Sequence, residues 1–330
     1  AARSSRGIYL QELANGGDLV VDHVQGSASV SVQQVRFNST LSPVTAGDVA
    51  GTALQPLDDL ETSAGPIKVV VRGGNLTIND GTDGDGMGVI ATAASDILLW
   101  TSSNLDINAQ VSSGGGHVSL QAGNDVDIDA GVSTVASGSV YVAGRDLRVN
   151  STIDTAAGDQ LLTATRDLNV NAVLSSTTGS IGLLAGRDIA QTANIVAGDD
   201  VLINAVGNFT QSGGTSTTAG DTLQLTTGGT QRLALLSASH ISLDAGGDIL
   251  DNNGANVLNL QANTLRMVAG GIIGGADLPN APDANGNALD MEVGTVAARS
   301  SRGIYLQELA NGGDLVVDHV QGSASVSVQQ

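Results

Sequence analysis

Cysteine is absent from the 330 residues, which excludes disulfides, thiolate metal ligands and cysteine nucleophiles. Aromatic residues make up 2% of the chain and Trp100 is its one tryptophan, so any core must be aliphatic. Positive charge is equally scarce: 13 Lys and Arg stand against 33 Asp and Glu, a net charge of −20, and Lys68 is the single lysine. That balance argues against nucleic acid or an anionic membrane surface as a partner, because phosphates call for the opposite sign. No apolar run approaches the roughly 18–20 residues of a membrane span. The four histidines, His23, His117, His240 and His319, lie beside no nucleophile motif and are expected at solvated strand or turn positions.

What the chain does contain is turn chemistry mixed with β-formers. Its 44 glycines, with Ser, Thr, Asn and Asp, punctuate short runs of Val, Leu, Ile and Ala, which reads as all-β. Residues 1–34 recur letter for letter at 297–330, an offset of 296 that chance cannot give. The economical account is one period, and the start of the next, of a longer tandem array, with the two copies expected to form superimposable coils. A signal peptide, which is not seen, would not be expected in such a window.

A shorter period runs inside the long one. In "QAGNDVDIDAGV", "VAGRDLRVNSTI", "TATRDLNVNAVL" and "LAGRDIAQTANI", Asp125, Asp146, Asp167 and Asp188 follow one another at 21 residues. Gapless alignment gives a column of Ala122, Ala143, Ala164 and Ala185, a column of Val126, Leu147, Leu168 and Ile189, and a third of Val132, Ile153, Leu174 and Ile195. Two-residue alternation between them marks half-buried strands. One such unit cannot bury its apolar side alone; stacked on its copies it makes a parallel β-helix, right-handed by the crossover preference. About 13 or 14 coils at ~4.8 Å would give a rod of roughly 60–65 Å. Tyr141 shares an aligned column with Leu120 and Leu183, which leaves open whether it enters the core. The regular pattern is expected over 1–34, 67–269 and 295–330. Residues 35–66 and 270–294 hold all five prolines (Pro43, Pro56, Pro66, Pro279 and Pro282) and read as insertions or wide coils.

With "AGRDLRVNSTI", "AGRDIAQTANI" and "TVAARSSRGIYLQEL" in view, the chain resembles filamentous haemagglutinin-like bacterial exoproteins over most of its length outside those two stretches. The resemblance implies a right-handed β-helical rod on the bacterial cell surface, extracellular, acting in adhesion or cell–cell contact. Its partners would be further copies of the repeat along the axis, neighbouring filaments, or cell-surface glycans.

Four features could carry chemistry. The Asp column has Arg145, Arg166 and Arg187 beside it; each Asp could cap its own turn with Arg offsetting the charge, or the column could hold cations. "NDGTDGDGMG" sets Asp80, Asp83 and Asp85 among glycines, oxygen donors suited to calcium, although the EF-hand spacing is not met. "DANGNALD" offers Asp283, Asn285, Asn287 and Asp290 in the manner of a small calcium loop. Thr155, Thr177, Thr178, Thr217 and Thr218 gather near one corner, where turn chemistry accounts for them. Polysaccharide-cleaving β-helices need clustered acids with basic partners in a groove; with one lysine and 13 basic residues in all, three of them in a single column, no enzyme is expected. Calcium is possible, and no other cofactor is expected. A glycan- or protein-binding module built on the insertions is the alternative to a purely structural rod.

Overall fold

The structure, a computed structural model, describes residues 1–28, 31–37, 43–50, 53–275, 287–309, 311, 313–322, 326 and 328. Among these, every regular element is a strand, and no helix is long and apolar enough to cross a membrane. The chain winds as a β-solenoid in which each coil contributes three short strands. In one coil these are Val118–Ala122 on a first face, Val126–Ile128 on a second and Val132–Thr134 on a third. Every stacked pair is parallel, and the second face is a sheet of twelve strands. Its eleven steps of about 4.8 Å span roughly 53 Å, shorter than the rod of roughly 60–65 Å expected above.

The sequence columns are physical columns. Leu147 pairs with Leu168, and the file continues through Ile189 to Phe209. All four are at most 1% exposed. On the third face Val132, Ile153, Leu174 and Ile195 stack in the same way. Alternation does the sorting: along Val126–Ile128 the ends point into the rod and Asp127 points out. Each buried Leu or Ile contributes on the order of 1.5–3 kcal/mol, and lengthwise backbone bonding satisfies the peptide groups that burial strips of water.

One aligned column does not survive. Val140 pairs with Val118, an offset of 22, and with Gln160, an offset of 20, whereas the second face keeps 21. The corner before Leu147 is therefore one residue tighter. Gly144, not Ala143, stacks with Ala164, and an added Cβ there would lie 2.9 Å from the Asn124 carbonyl oxygen and 3.0 Å from Val126 Cγ2. The same shift settles Tyr141. It pairs with Ser119 and Leu161 on the outward register, while Val142 fills the inward place beside Leu120.

Between coils the chain makes an antiparallel excursion. Ser31–Phe37 pairs with Pro43–Ala50, and the stem returns to the rod at the antiparallel bridge of Val24 with Leu57. Leu60–Thr62 is already on the third face. Farther on, Ile272–Ile273 lies on the second face. Leu260–Ala269 and Leu289–Ser300 run straight from the third face into the first, without the turn that separates those faces in the regular coils.

The two 34-residue copies are not superimposable, contrary to expectation. In the first, Ala2–Ser4 lies on the third face, Ile8–Glu12 on the first and Leu19–Val21 on the second. In the second, Gly303–Ile304 lies on the second face, Leu306–Glu308 on the third and Val316–Val317 on the first. Each copy takes its register from the one neighbour it has: the first packs on Ile67–Val71 and Leu76–Ile78, the second continues the straight strand Leu289–Ser300. Burial differs accordingly. Ile8 is 5% and Val21 2% exposed, against 43% and 81% for their equivalents Ile304 and Val317.

Candidate metal centre and corner ladders

The loop at 79–88 turns on three glycines, Gly81, Gly84 and Gly86, with φ of +76°, +71° and +78°, a conformation open to glycine at little cost. Within it Asp80 Oδ1 accepts the Gly86 N–H at 2.7 Å and Asp85 Oδ1 accepts the Met87 N–H at 2.8 Å. The structure then brings in a residue the sequence reading had placed in an irregular insertion. Asp59 is where the hairpin stem re-enters the rod; its carbonyl accepts the Ala2 N–H at 2.7 Å, and its φ of +60° turns it out of strand geometry. Oxygens of Asp59, Asp83 and Asp85 all lie within 4.8 Å of one another. Asp83 and Asp85 are exposed. Asp59 is 5% exposed, and its Oδ1 is buried with no hydrogen-bond partner.

Electrostatics at this point are unfavourable for a carboxylate. Burial first, then the charges of Asp83, Asp85, Asp58 and Asp80, push Asp59 up to about 7. Its neighbour Asp58 moves the other way, held below the usual carboxylate range chiefly by the Thr82 N–H. Asp58 Oδ1 accepts that N–H at 2.9 Å and also meets His23 Nδ1 at 2.9 Å. Of the sequence candidates, Asp83 and Asp85 thus come together, with Asp80 beside them through Gly86. Asp283 and Asn285 lie outside the described residues. Asn287 is exposed, whereas Asp290 is 1% exposed and takes backbone N–H groups of Asn256 and Val257. A strand-buried Asp290 answers to that turn. The pair Asp58–Asp59 in "PLDDLE" was the available signal for the missing ligand, but which acid faces the loop depends on a backbone turn no spacing rule supplies.

In the Asp column the arginines offset the acids as expected, but the capping differs. The carboxylates cap the next coil rather than their own turn: the N–H groups of Asp146, Asp167 and Asp188 donate to Oδ1 of Asp125, Asp146 and Asp167 at 3.3, 3.3 and 3.4 Å. Asn208 continues the series by donating its N–H to Asp188 Oδ1 at 2.7 Å. Below, Asn75 and Asn104 play the same part. Each arginine reaches back one coil: Arg145 grips Asp125 through Nε at 3.1 Å and Nη2 at 3.0 Å, and Arg166 and Arg187 fork onto Asp146 and Asp167 likewise. With guanidinium groups filling the space between Asp125, Asp146 and Asp167, those carboxylates are already matched. A second corner repeats the device with mixed acceptors, Asp96 for the His117 N–H, His117 Nδ1 for the Ser139 N–H, and Asp159 for the Ser180 N–H. His117 is therefore a rung of a ladder as well as a surface residue.

Asp146 gives the column a measurable signature. The Arg166 fork is the main cause that holds it below the ordinary carboxylate range, with the Asp167 N–H adding to it. A depressed folded pKa stabilises the fold above the unfolded value near ~3.9, and the contribution is lost as pH falls through the folded value. Asp146→Asn is expected to cost about 1–3 kcal/mol at pH 7. In denaturant titrations the gap to the parent should close as pH drops below about 4; a gap independent of pH would show that the carboxylate's charge is not what holds this corner.

No family model matches the chain, and comparison with curated proteins and with solved structures found no match.

Proposed function

We propose that the chain is one period of a long tandem-repeat β-helical filament, a structural or adhesive protein of the bacterial cell surface without catalysis. What carries this reading is that residues 1–34 recur letter for letter at 297–330 in a chain whose coils stack in parallel along one axis. Ile304 and Val317 are exposed where Ile8 and Val21 are buried. The coils that bury the first copy are those of residues 60–78, and in a tandem array the equivalent coils of the next period would follow the second copy. Unpaired strand edges at a rod end are otherwise a liability; a further copy of the repeat removes them. The resemblance to filamentous haemagglutinin-like exoproteins supports an extracellular setting and cell-surface glycans or neighbouring filaments as further partners. The hairpin of Ser31–Phe37 and Pro43–Ala50, carried on a stiff rod, favours a second reading as a binding module for a glycan or protein, since loops on a rigid scaffold are where recognition concentrates.

A chain carrying two periods tests the first reading. By negative-stain electron microscopy it should form one continuous rod about twice as long as the single period. Two separate lobes, or no increase in length, would contradict it. Deleting the hairpin and assaying attachment to cells addresses the second: attachment lost with rods intact would favour a binding module.

A further inference from the structure

We propose that Asp59, Asp83 and Asp85 bind a hard divalent cation of the calcium class, and that the ion clamps the base of the hairpin to the 79–88 loop. Two oxygens on one calcium, each about 2.4 Å from it, can be no more than ~4.8 Å apart, and that is the span within which the three carboxylates lie. Convergent acids alone would be an ordinary surface feature. Asp59 is not at the surface: it is 5% exposed with a buried, unpartnered Oδ1, and a buried carboxylate with no partner is costly unless a cation or a proton accompanies it. The donor set is all oxygen, and a loop hinged on three positive-φ glycines can adjust to the loose six-to-eight coordination of calcium, with water completing the shell. Magnesium demands a tighter octahedron and dehydrates reluctantly, so it should bind more weakly.

The position gives the ion a mechanical consequence. Asp59 follows the last bridge of the stem, Val24 with Leu57, by two residues, and Asp83 and Asp85 belong to the loop that leads from the second face into Met87–Ala91. An ion held by all three ties the stem to the coil above it, supplementing the Asp58 contacts with Thr82 and His23.

The full 330-residue chain, stripped with EDTA and titrated with calcium chloride by calorimetry, should bind one ion with a dissociation constant on the order of 10⁻⁴ M or tighter. Its melting temperature should rise with calcium. The double variant Asp83→Asn/Asp85→Asn alters two exposed side chains and relieves their repulsion of Asp59, so it should melt no lower than the parent in EDTA while binding calcium at least tenfold more weakly. Amide exchange at Val24 and Leu57, whose N–H groups bond each other's carbonyls at 2.8 and 3.1 Å, should slow in calcium in the parent only. Absence of saturable binding, or binding unchanged in the double variant, would overturn the site. Unchanged exchange at the stem in the calcium-loaded parent would overturn the clamp.

Discussion

Replacing Leu168 by aspartate is expected to remove about 5 kcal/mol or more of folding free energy, enough to unfold a domain of ordinary stability near the low end of ~5–15 kcal/mol. Leu168 is fully buried and stacked between Leu147 and Ile189. Truncating such a leucine costs about 2–5 kcal/mol through lost burial and the cavity left behind, and forcing a carboxyl group into an aliphatic file adds roughly 1–3 kcal/mol even after it takes up a proton. The internal control is the next residue. Asn169 faces outward in the same strand, and Asn169→Asp should stay within about 0.5 kcal/mol of the parent. Urea titrations of the two variants followed by circular dichroism compare them directly; similar midpoints would mean that the stacked aliphatic column is not what supports the rod.

Gly158→Ala should be nearly as damaging although it adds one methyl group. At the corner leading into the first face, a Cβ on Gly158 would lie 2.0 Å from the Gly138 carbonyl oxygen. The equivalent atom on Gly138 would meet the Gly116 oxygen at 1.8 Å, and on Gly179 the Gly158 oxygen at 2.5 Å. The obstructing atoms are backbone, so relief requires whole coils to move apart. The carbonyl of Gly158 is also the acceptor for the Thr155 and Ser176 hydroxyls at 2.7 and 2.9 Å, which the shift would pull off. A loss of about 3 kcal/mol or more is expected. Gly131→Ala is the matched comparison: its nearest contact would be 3.8 Å away, and removing unfolded-chain freedom there should leave stability unchanged or raise it by up to ~1 kcal/mol. Equal melting temperatures for the two alanine variants would refute the close corner.

The file from Val126 to Ile189 could be read before any coordinates because side-chain period and coil period agree there, so each inward position repeats its aliphatic chemistry. Gly144 could not. Its coil gives up one residue at one corner and gains it at another, and offsets of 22 and 20 average to the very period that gapless alignment assumes. Asp59 stayed hidden for a different reason: a whole coil, Leu60–Thr62, Ile67–Val71 and Leu76–Ile78, separates it from Asp83 and Asp85, and it joins them through a backbone turn with φ of +60° that local sequence does not announce. Nor does local sequence distinguish the two threadings of the 34-residue copies. Identical residues took different faces, so neighbours decide the register there.

The Asp column also has a direction. At each step from Asp125 to Asn208 the acceptor belongs to the earlier coil and the donating N–H to the later one, and the guanidinium of each later coil likewise seeks a carboxylate already in place. A chain presented N-terminus first would thus meet, at every corner of this column, a template completed about twenty residues before. The side chains of this column let the rod be wound vectorially, like thread onto a spool, each turn guided by the one just laid down, while the backbone N–H groups of Val126, Leu147 and Leu168 are closed by the turn that follows.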